Sequence, residues 1–378
     1  MSIRYCKKCL NVSTRPNIKF SDDGICPPCK YYANTHKTDP DIIEEKLKEI
    51  KEFARQNNQS GYDCIIGVSG GKDSSRQALY VREKFGLKPL LVSMNYPPEQ
   101  ISINGVNNLS NLISLGFDCI NISCSPQLWK KAMKYAFFHF GNWAKATEYA
   151  LFASVPRIAV AYQIPLIWWG ENAAAVLGEM GVLGKDLSDG NRLKYSNTLQ
   201  GGDFNWLLNI GIDKKQILQY IYPSDAEMDR AKIRIVFLDY FMQEFSMQVN
   251  GVFSSLNGLH IKAPNPLVNP DLTGTSMVDE DFINVNMLIR YLKFGFGRTT
   301  DYVNEEIRYG RMSRDNAIRL VEKYDGNYDV DILSRFCNFL QISIEEFWEV
   351  VDKYVNRELF QRESMGVYRR KFKVGSGL

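Results

Sequence analysis

Residues 65–75 read IIGVSGGKDSS: an apolar run stops at two glycines, and a lysine, an aspartate and two serines follow. The run suits a buried strand, and glycine at its end frees the backbone to turn. "SRQALYVREKFG" then predicts a helix ending at Gly86. A helix start behind such a loop presents backbone N–H groups and partial positive charge, a setting for an anion. A tight turn without a ligand is the other reading. It leaves unexplained why Ser69, Lys72, Asp73 and Ser74 stand together at the strand end. Open α/β sheets bind ligands at that edge.

The surrounding text supports such a sheet. After a helix over 41–57 come the apolar strands "DCIIGVS", "KPLLVSMN", "FDCINIS" and "IPLIWWG". Helical segments separate them, one opening at Pro97–Pro98, one at "PQLWKKAMKYAFFHF" and one over 148–163. Continuous apolar strands alternating with helices predict an α/β fold, a parallel sheet covered on both faces. After about residue 255 the character changes. "HIKAPNPLVNPD" reads as a connection, and 281–296, 300–310, 313–324, 329–340 and 343–356 read as helices. The expected organisation is a cysteine module over 1–40, an α/β domain over 41–258 and a helical region over 259–378.

Residues 6–29 hold two C-x2-C knuckles, Cys6/Cys9 and Cys26/Cys29, separated by 16 residues. Four thiolates at that spacing can close tetrahedrally around a structural zinc ion. A redox dithiol is the rival reading. Cys64, Cys119, Cys124 and Cys337 stand in apolar surroundings and read as core residues. The start, "MSIRYCKKC", shows no apolar leader, and no stretch has the length of a membrane span, so a cytoplasmic protein is expected. The net charge of +3 does not call for a nucleic-acid partner. Basic residues are uneven, however: Arg290, Lys293, Arg298, Arg308, Arg311, Arg314 and Arg319 crowd one stretch, and Arg369, Arg370, Lys371 and Lys373 end the chain. Solvated helix faces or a docking surface for an anion would both use such residues.

Known phosphate loops narrow the reading. The P-loop pattern G-x4-G-K-[ST] fails, because Ile66 takes the first glycine position and Asp73 replaces Ser/Thr. No G-x-G-x-x-G is present. The hexapeptide Ser69-Gly70-Gly71-Lys72-Asp73-Ser74 resembles the pyrophosphate (PP) loop of the N-type ATP pyrophosphatases, which include GMP, NAD and asparagine synthetases. The resemblance implies ATP and Mg²⁺. Ser69, Gly70, Gly71, Ser74 and Ser75 would hold the β,γ-phosphates, Asp73 would act through Mg²⁺, and Lys72 could neutralise departing pyrophosphate. Asn95, at the end of "MNYPP", could face the adenosine. Gly170, Glu171 and Asn172, at the end of a later strand, point to where substrate and metal meet. Helix capping is the alternative for Glu171 and Asn172.

The cysteine module, the loop and "YLKFGFGRTTDYVNEEIRYGRMSRDNAIRLVEKYDG" (291–326) together resemble the N-acetyl sugar amidotransferases, over essentially the whole chain. That family implies adenylylation of an acetamido oxygen on an acidic, nucleotide-linked sugar. Ammonia then displaces AMP and gives an acetamidino sugar for bacterial surface glycans. An anionic nucleotide sugar needs fixed cations, for which Arg298, Arg308, Arg311 and Arg314 are candidates. A glutaminase within the chain is not expected. Ser2 stands where an N-terminal nucleophile cysteine would be, no cysteine sits in a Gly-x-Cys-x-Gly setting, and the histidines are only His36, His139 and His260. A separate glutaminase partner is expected instead. The competing reading is tRNA thiolation, which uses the same loop. It would need a catalytic cysteine, and the spacing of Cys119 and Cys124 puts their side chains on opposite faces of a strand.

Overall fold

The computed structural model describes residues 3–35, 38–242 and 244–377; Ser2 and His36 lie outside them. Helices α1 (Pro27–Thr35) and α2 (Pro40–Gln56) precede the alternating part of the chain. There β1 (Cys64–Gly67), α3 (Lys72–Glu83), β2 (Pro89–Asn95), α4 (Ile103–Ser114), β3 (Cys119–Ser123), α5 (Pro126–Phe140), α6 (Ala144–Tyr162) and β4 (Leu166–Trp169) follow in order. Short helices α7 (Ala173–Val176), α8 (Asn205–Leu208) and α9 (Asp225–Arg230) lead to β5 (Arg234–Phe237) and α10 (Met247–Leu256).

The five strands are all parallel, in the order β3-β2-β1-β4-β5. The winding direction reverses between β1 and β4, so the crevice at their carboxyl ends is the switch point where ligands are held. Side chains alternate across each strand. Ile65, Val92, Met94, Ile167 and Ile235 pack on one side with α5 and α6, while Cys64, Ile66, Leu91, Trp168 and Val236 pack on the other with α2 and α3. Cys119 and Cys124 also fall on opposite sides of the sheet, as their spacing requires.

Helices α11 (Ile283–Phe294), α12 (Arg298–Arg308), α13 (Arg314–Tyr324), α14 (Val330–Leu340) and α15 (Ile344–Tyr354) follow. Their apolar faces join the core of α5 and α6; Phe137 stacks on Phe347 with ring centroids 5.3 Å apart.

Three local expectations are corrected. Pro97–Pro98 close a turn, with the Gln100 and Ile101 N–H groups on the Pro97 carbonyl at 2.9 and 3.0 Å. The residue before a proline avoids helical geometry, and α4 starts only at Ile103, where the Ser102 hydroxyl accepts from Gly105 N at 2.9 Å. Strand β5 was not anticipated. The basic tail is a hairpin, β6 (Phe360–Ser364) and β7 (Val367–Arg370), which anchors Phe360 in the core.

Candidate functional site

A cavity of about 540 Å³ opens at the switch point, within the size range of small-ligand sites. Ser69, Gly71, Lys72, Asp73, Ser74, Gly170, Glu171, Asn172, Arg298 and Arg308 all line it. Sequence positions more than 200 residues apart thus converge on one space. Gly70, Ser75, Asn95 and Arg311 do not line it.

The loop is built tightly. Gly70 has φ +83°, and a Cβ there would lie 2.7 Å from the Gly105 carbonyl, so no side chain fits. At Gly71 nothing stands nearer than the Ser69 hydroxyl at 3.4 Å, which leaves the backbone open to a ligand. Ser74 and Ser75 hydroxyls donate to the Gly71 carbonyl at 3.2 and 2.9 Å, and the Ser254 hydroxyl donates to the Lys72 carbonyl at 2.7 Å. Ser75 is therefore a buried brace of the loop. The N-terminus of α3 faces the cavity through Lys72, Asp73 and Ser74.

Lys72 Nζ lies 2.6 Å from Asp73 Oδ2, and Asn250 Nδ2 donates to Asp73 Oδ1 at 2.5 Å. Burial acts to raise the Asp73 carboxyl, but Lys72, Asn250 and Arg298 outweigh it and hold it below its ordinary value. Asp73 is therefore ionised at neutral pH. Burial raises Glu171, reinforced by Asp73 and opposed by Lys72 and Arg298. At the end of β2, Met94 and the following Tyr96 line the cavity, and the intervening Asn95 does not, because side chains alternate along extended chain. The Tyr96 hydroxyl donates to Asp279 Oδ2 at 3.2 Å. Asn172 accepts from Ala174 N at 3.0 Å, which is the capping alternative, and its amide donates to the Tyr31 hydroxyl at 2.7 Å. Tyr31 in turn donates to Asp239 at 3.2 Å, and burial pushes Asp239 up to about 7.

The far part of the lining comes from α11 and α12. Arg298 donates to the Ser276 hydroxyl at 2.7 Å, and Arg290 to Asp301 at 2.6 Å. Arg290 Nε, Arg298 Nε and Arg308 Nη1 are nevertheless buried with no hydrogen-bond partner. Unpaired buried donors are costly, and these three lie on one cavity wall, where an anionic ligand could accept from them. Arg311 is different: it is spent on Glu306 at 2.6 Å and on Glu244. Asp301 sits between Arg290 and Arg15, which also approaches to 2.6 Å. Burial opposes its charge, but Arg290, Arg15 and Arg298 hold it well below the usual carboxylate range.

Arg15 belongs to the cysteine module. The Sγ atoms of Cys6, Cys9, Cys26 and Cys29 all lie within 4.8 Å of one another, and all four residues are buried without disulfides. Cys9 and Cys26 sulfurs are 3.6 Å apart, close to the edge of about 3.8 Å in a tetrahedron with Zn–S bonds of about 2.3 Å. Backbone N–H groups of Lys8 and Cys26 point at Cys6 Sγ, at 3.4 and 3.2 Å. The donor set fits zinc. The module also walls the cavity, through Pro28, Tyr31, Tyr32 and Thr35 of α1.

Sequence reasoning missed Asn250, Tyr31, Asp239, Asp279 and Arg15. Arg290 was visible in the basic stretch, but nothing local distinguishes it from its neighbours.

Residues 277–373 match the family described as "LPS biosynthesis protein WbpG-like, C-terminal domain". The resemblance carried by residues 291–326 is thereby borne out. The WbpG-like domain supplies Asp279, Arg290, Arg298, Asp301 and Arg308 to the cavity, and the sheet supplies the loop. An uncharacterized protein of Methanocaldococcus jannaschii is 32% identical over 107 residues; this is 27% of the chain and 37% of that protein's length, so the chain spans little over a third of it. Among solved structures, NMN synthetase from Francisella tularensis is 14% identical, with a TM-score of 0.29 over 61% of this chain and 100% of its own. NH3-dependent NAD synthetase from Campylobacter jejuni is 16% identical, with a TM-score of 0.28 over 60% and 100%. Among the described residues no helix is long and apolar enough to cross a membrane.

Proposed function

We propose that the protein is an ATP-dependent amidotransferase, which activates the acetamido oxygen of an anionic, nucleotide-linked N-acetyl sugar and replaces it with ammonia nitrogen. The products are an acetamidino sugar for lipopolysaccharide, AMP and pyrophosphate. One observation carries this reading: a single cavity joins the Ser69–Ser74 loop to a wall of three arginines, each with one buried N–H donor that has no acceptor.

In this reading the loop backbone at Gly71, with Ser69 and Ser74, receives the β,γ-phosphates at the start of α3, and Gly70 makes the turn that places them. Ser75 braces the loop. The ionised Asp73 is the residue that would hold Mg²⁺, and that ion would offset phosphate charge. Lys72 is close enough to Asp73 to move onto departing pyrophosphate. Met94 and Tyr96 take the adenosine side in place of Asn95. Gly170 and Glu171 face the loop from β4 and orient the acetamide. Arg290, Arg298 and Arg308 clamp the anionic groups of the sugar nucleotide, while Arg311 and Asn172 are structural. Cys6, Cys9, Cys26 and Cys29 would hold zinc, which fixes the module that walls the cavity.

No cysteine lines the cavity among the described residues, and Cys64 and Cys337 are buried in the apolar core. That disfavours thiolation through a cavity thiol; a separate glutaminase is the proposed source of the ammonia. The test is nucleotide analysis with Mg-ATP, ammonium and acidic diacetamido nucleotide sugars. Sugar-dependent AMP is expected. ADP, or AMP that depends on tRNA and a sulfur donor, would overturn the reading.

A further inference from the structure

One side of the cavity has no task in the reaction as described so far. Along α6, Ala144, Thr147, Glu148, Leu151 and Val155 all line the cavity. Their spacing of three, four and seven residues puts them on one helix face. Such a face is normally apolar, and here its middle carries a hydroxyl and a carboxylate. The Thr147 hydroxyl is buried, in a residue only 5% exposed, and has no hydrogen-bond partner. A helical threonine ordinarily bonds the carbonyl four residues back, so this hydroxyl is left over for something in the cavity.

The charges around Glu148 come from every neighbouring element. Lys145 lies one turn back on α6 and is occupied by the Thr198 carbonyl at 3.0 Å and Gln200 Oε1 at 3.3 Å. Glu171 approaches from the end of β4, Glu179 from the segment after α7, and the Thr198 hydroxyl from the loop beyond. Burial, with Glu171 and Glu179, pushes Glu148 up to about 7 against the opposing effect of Thr198 and Lys145. Yet among the described residues only the four cysteines converge closely enough to hold a metal ion. The carboxylates therefore create a field for a cation without offering a divalent coordination shell. A small monovalent cation rich in N–H donors matches that arrangement.

Resting on the amidotransferase reading, we propose that Thr147, Glu148 and Thr198 form the subsite that receives ammonium, and that the Glu148 carboxylate removes the proton that frees the nucleophile. Ammonium gives one proton to Glu148. Its nitrogen lone pair then forms the C–N bond to the activated acetamido carbon. The C–O bond to AMP breaks, with the electron pair on the phosphate oxygen. The amidinium product keeps three N–H protons, one leaves with AMP, and the one on Glu148 returns to solvent.

The test compares ammonium with hydroxylamine, which is already neutral near pH 7 and needs no base. Glu148→Gln is expected to lower kcat/KM for ammonium about 10²-fold, while turnover with hydroxylamine falls no more than about threefold. In the wild type, kcat/KM for ammonium should rise with pH up to about 7 and then level; in the variant it should keep climbing with the free-ammonia fraction. Thr147→Val, which changes no charge, should raise KM for ammonium several-fold and serves if Glu148→Gln does not fold. Equal losses with both nucleophiles, or no loss with either, would overturn the assignment of Glu148. Absence of sugar-dependent AMP in the wild type would instead overturn the amidotransferase reading.

Discussion

Lys72 and Asp73 are consecutive residues on the first turn of α3, and Lys72 helps to hold the Asp73 carboxyl ionised inside a site whose burial opposes its charge. Asn250 completes the arrangement from α10. Removing the Asp73 charge should leave the loop in shape and remove only its electrostatic contribution. Asp73→Asn is expected to lower sugar-dependent AMP formation about 10²- to 10³-fold, and wild-type turnover in a folded variant would contradict the assignment. The two kinds of arginine separate in the same way. Arg298 has an unpaired buried Nε, so Arg298→Gln should raise KM for the anionic sugar about 10- to 100-fold. Arg311 is already paired, so Arg311→Gln should lower the thermal midpoint and leave that KM within about twofold. Asp239 gives a pH signature. Its folded value near 7 lies above the unfolded value of about 4, so its contribution to stability is present below pH 4 and is lost as pH rises toward 7. Asp239→Asn removes that loss. The difference in thermal midpoint, variant minus wild type, should move in the variant's favour between pH 5 and 8; a constant difference would show that Asp239 ionises normally.

At the scale of elements, the cysteine module is more than an appendage. Asn304 Oδ1 of α12 accepts from Leu10 N at 2.7 Å, Arg15 reaches Asp301, and Ile307 packs against the cysteine cluster. A module this short buries too little to fold on apolar contacts alone, so metal binding would supply much of its stability. Cys9→Ser is expected to cut zinc per chain, measured by elemental analysis, to well under half. It should also lower the thermal midpoint. Full zinc occupancy would count against the four-thiolate site. These elements were legible to different degrees, for physical reasons. The C-x2-C knuckles and the loop carry their geometry in local spacing. The turn at Pro97 and the strand β5 do not, because a tertiary bridge between Ile101 and Glu280 and pairing with β4 decide them.

At the scale of the molecule, the parallel sheet followed from alternating apolar runs, and the position of the ligand edge followed from the loop. What local pattern could not show was the convergence. Glu148 sits in a helix that reads as ordinary core, and Arg290 looks like its solvated neighbours, until α6 and α11 meet the loop around one cavity. Sheet, cysteine module and WbpG-like domain each contribute a wall, so the proposed chemistry belongs to none of them alone. The most direct measurement of that chemistry follows the acetamido oxygen itself. An acidic N-acetyl nucleotide sugar labelled with oxygen-18 in its acetamido groups would be turned over with Mg-ATP and ammonium, and both products weighed by mass spectrometry. The account predicts the label in the AMP phosphate and NH in its place on the sugar. Unlabelled AMP, or label retained on a sugar that has gained nitrogen elsewhere, would contradict it.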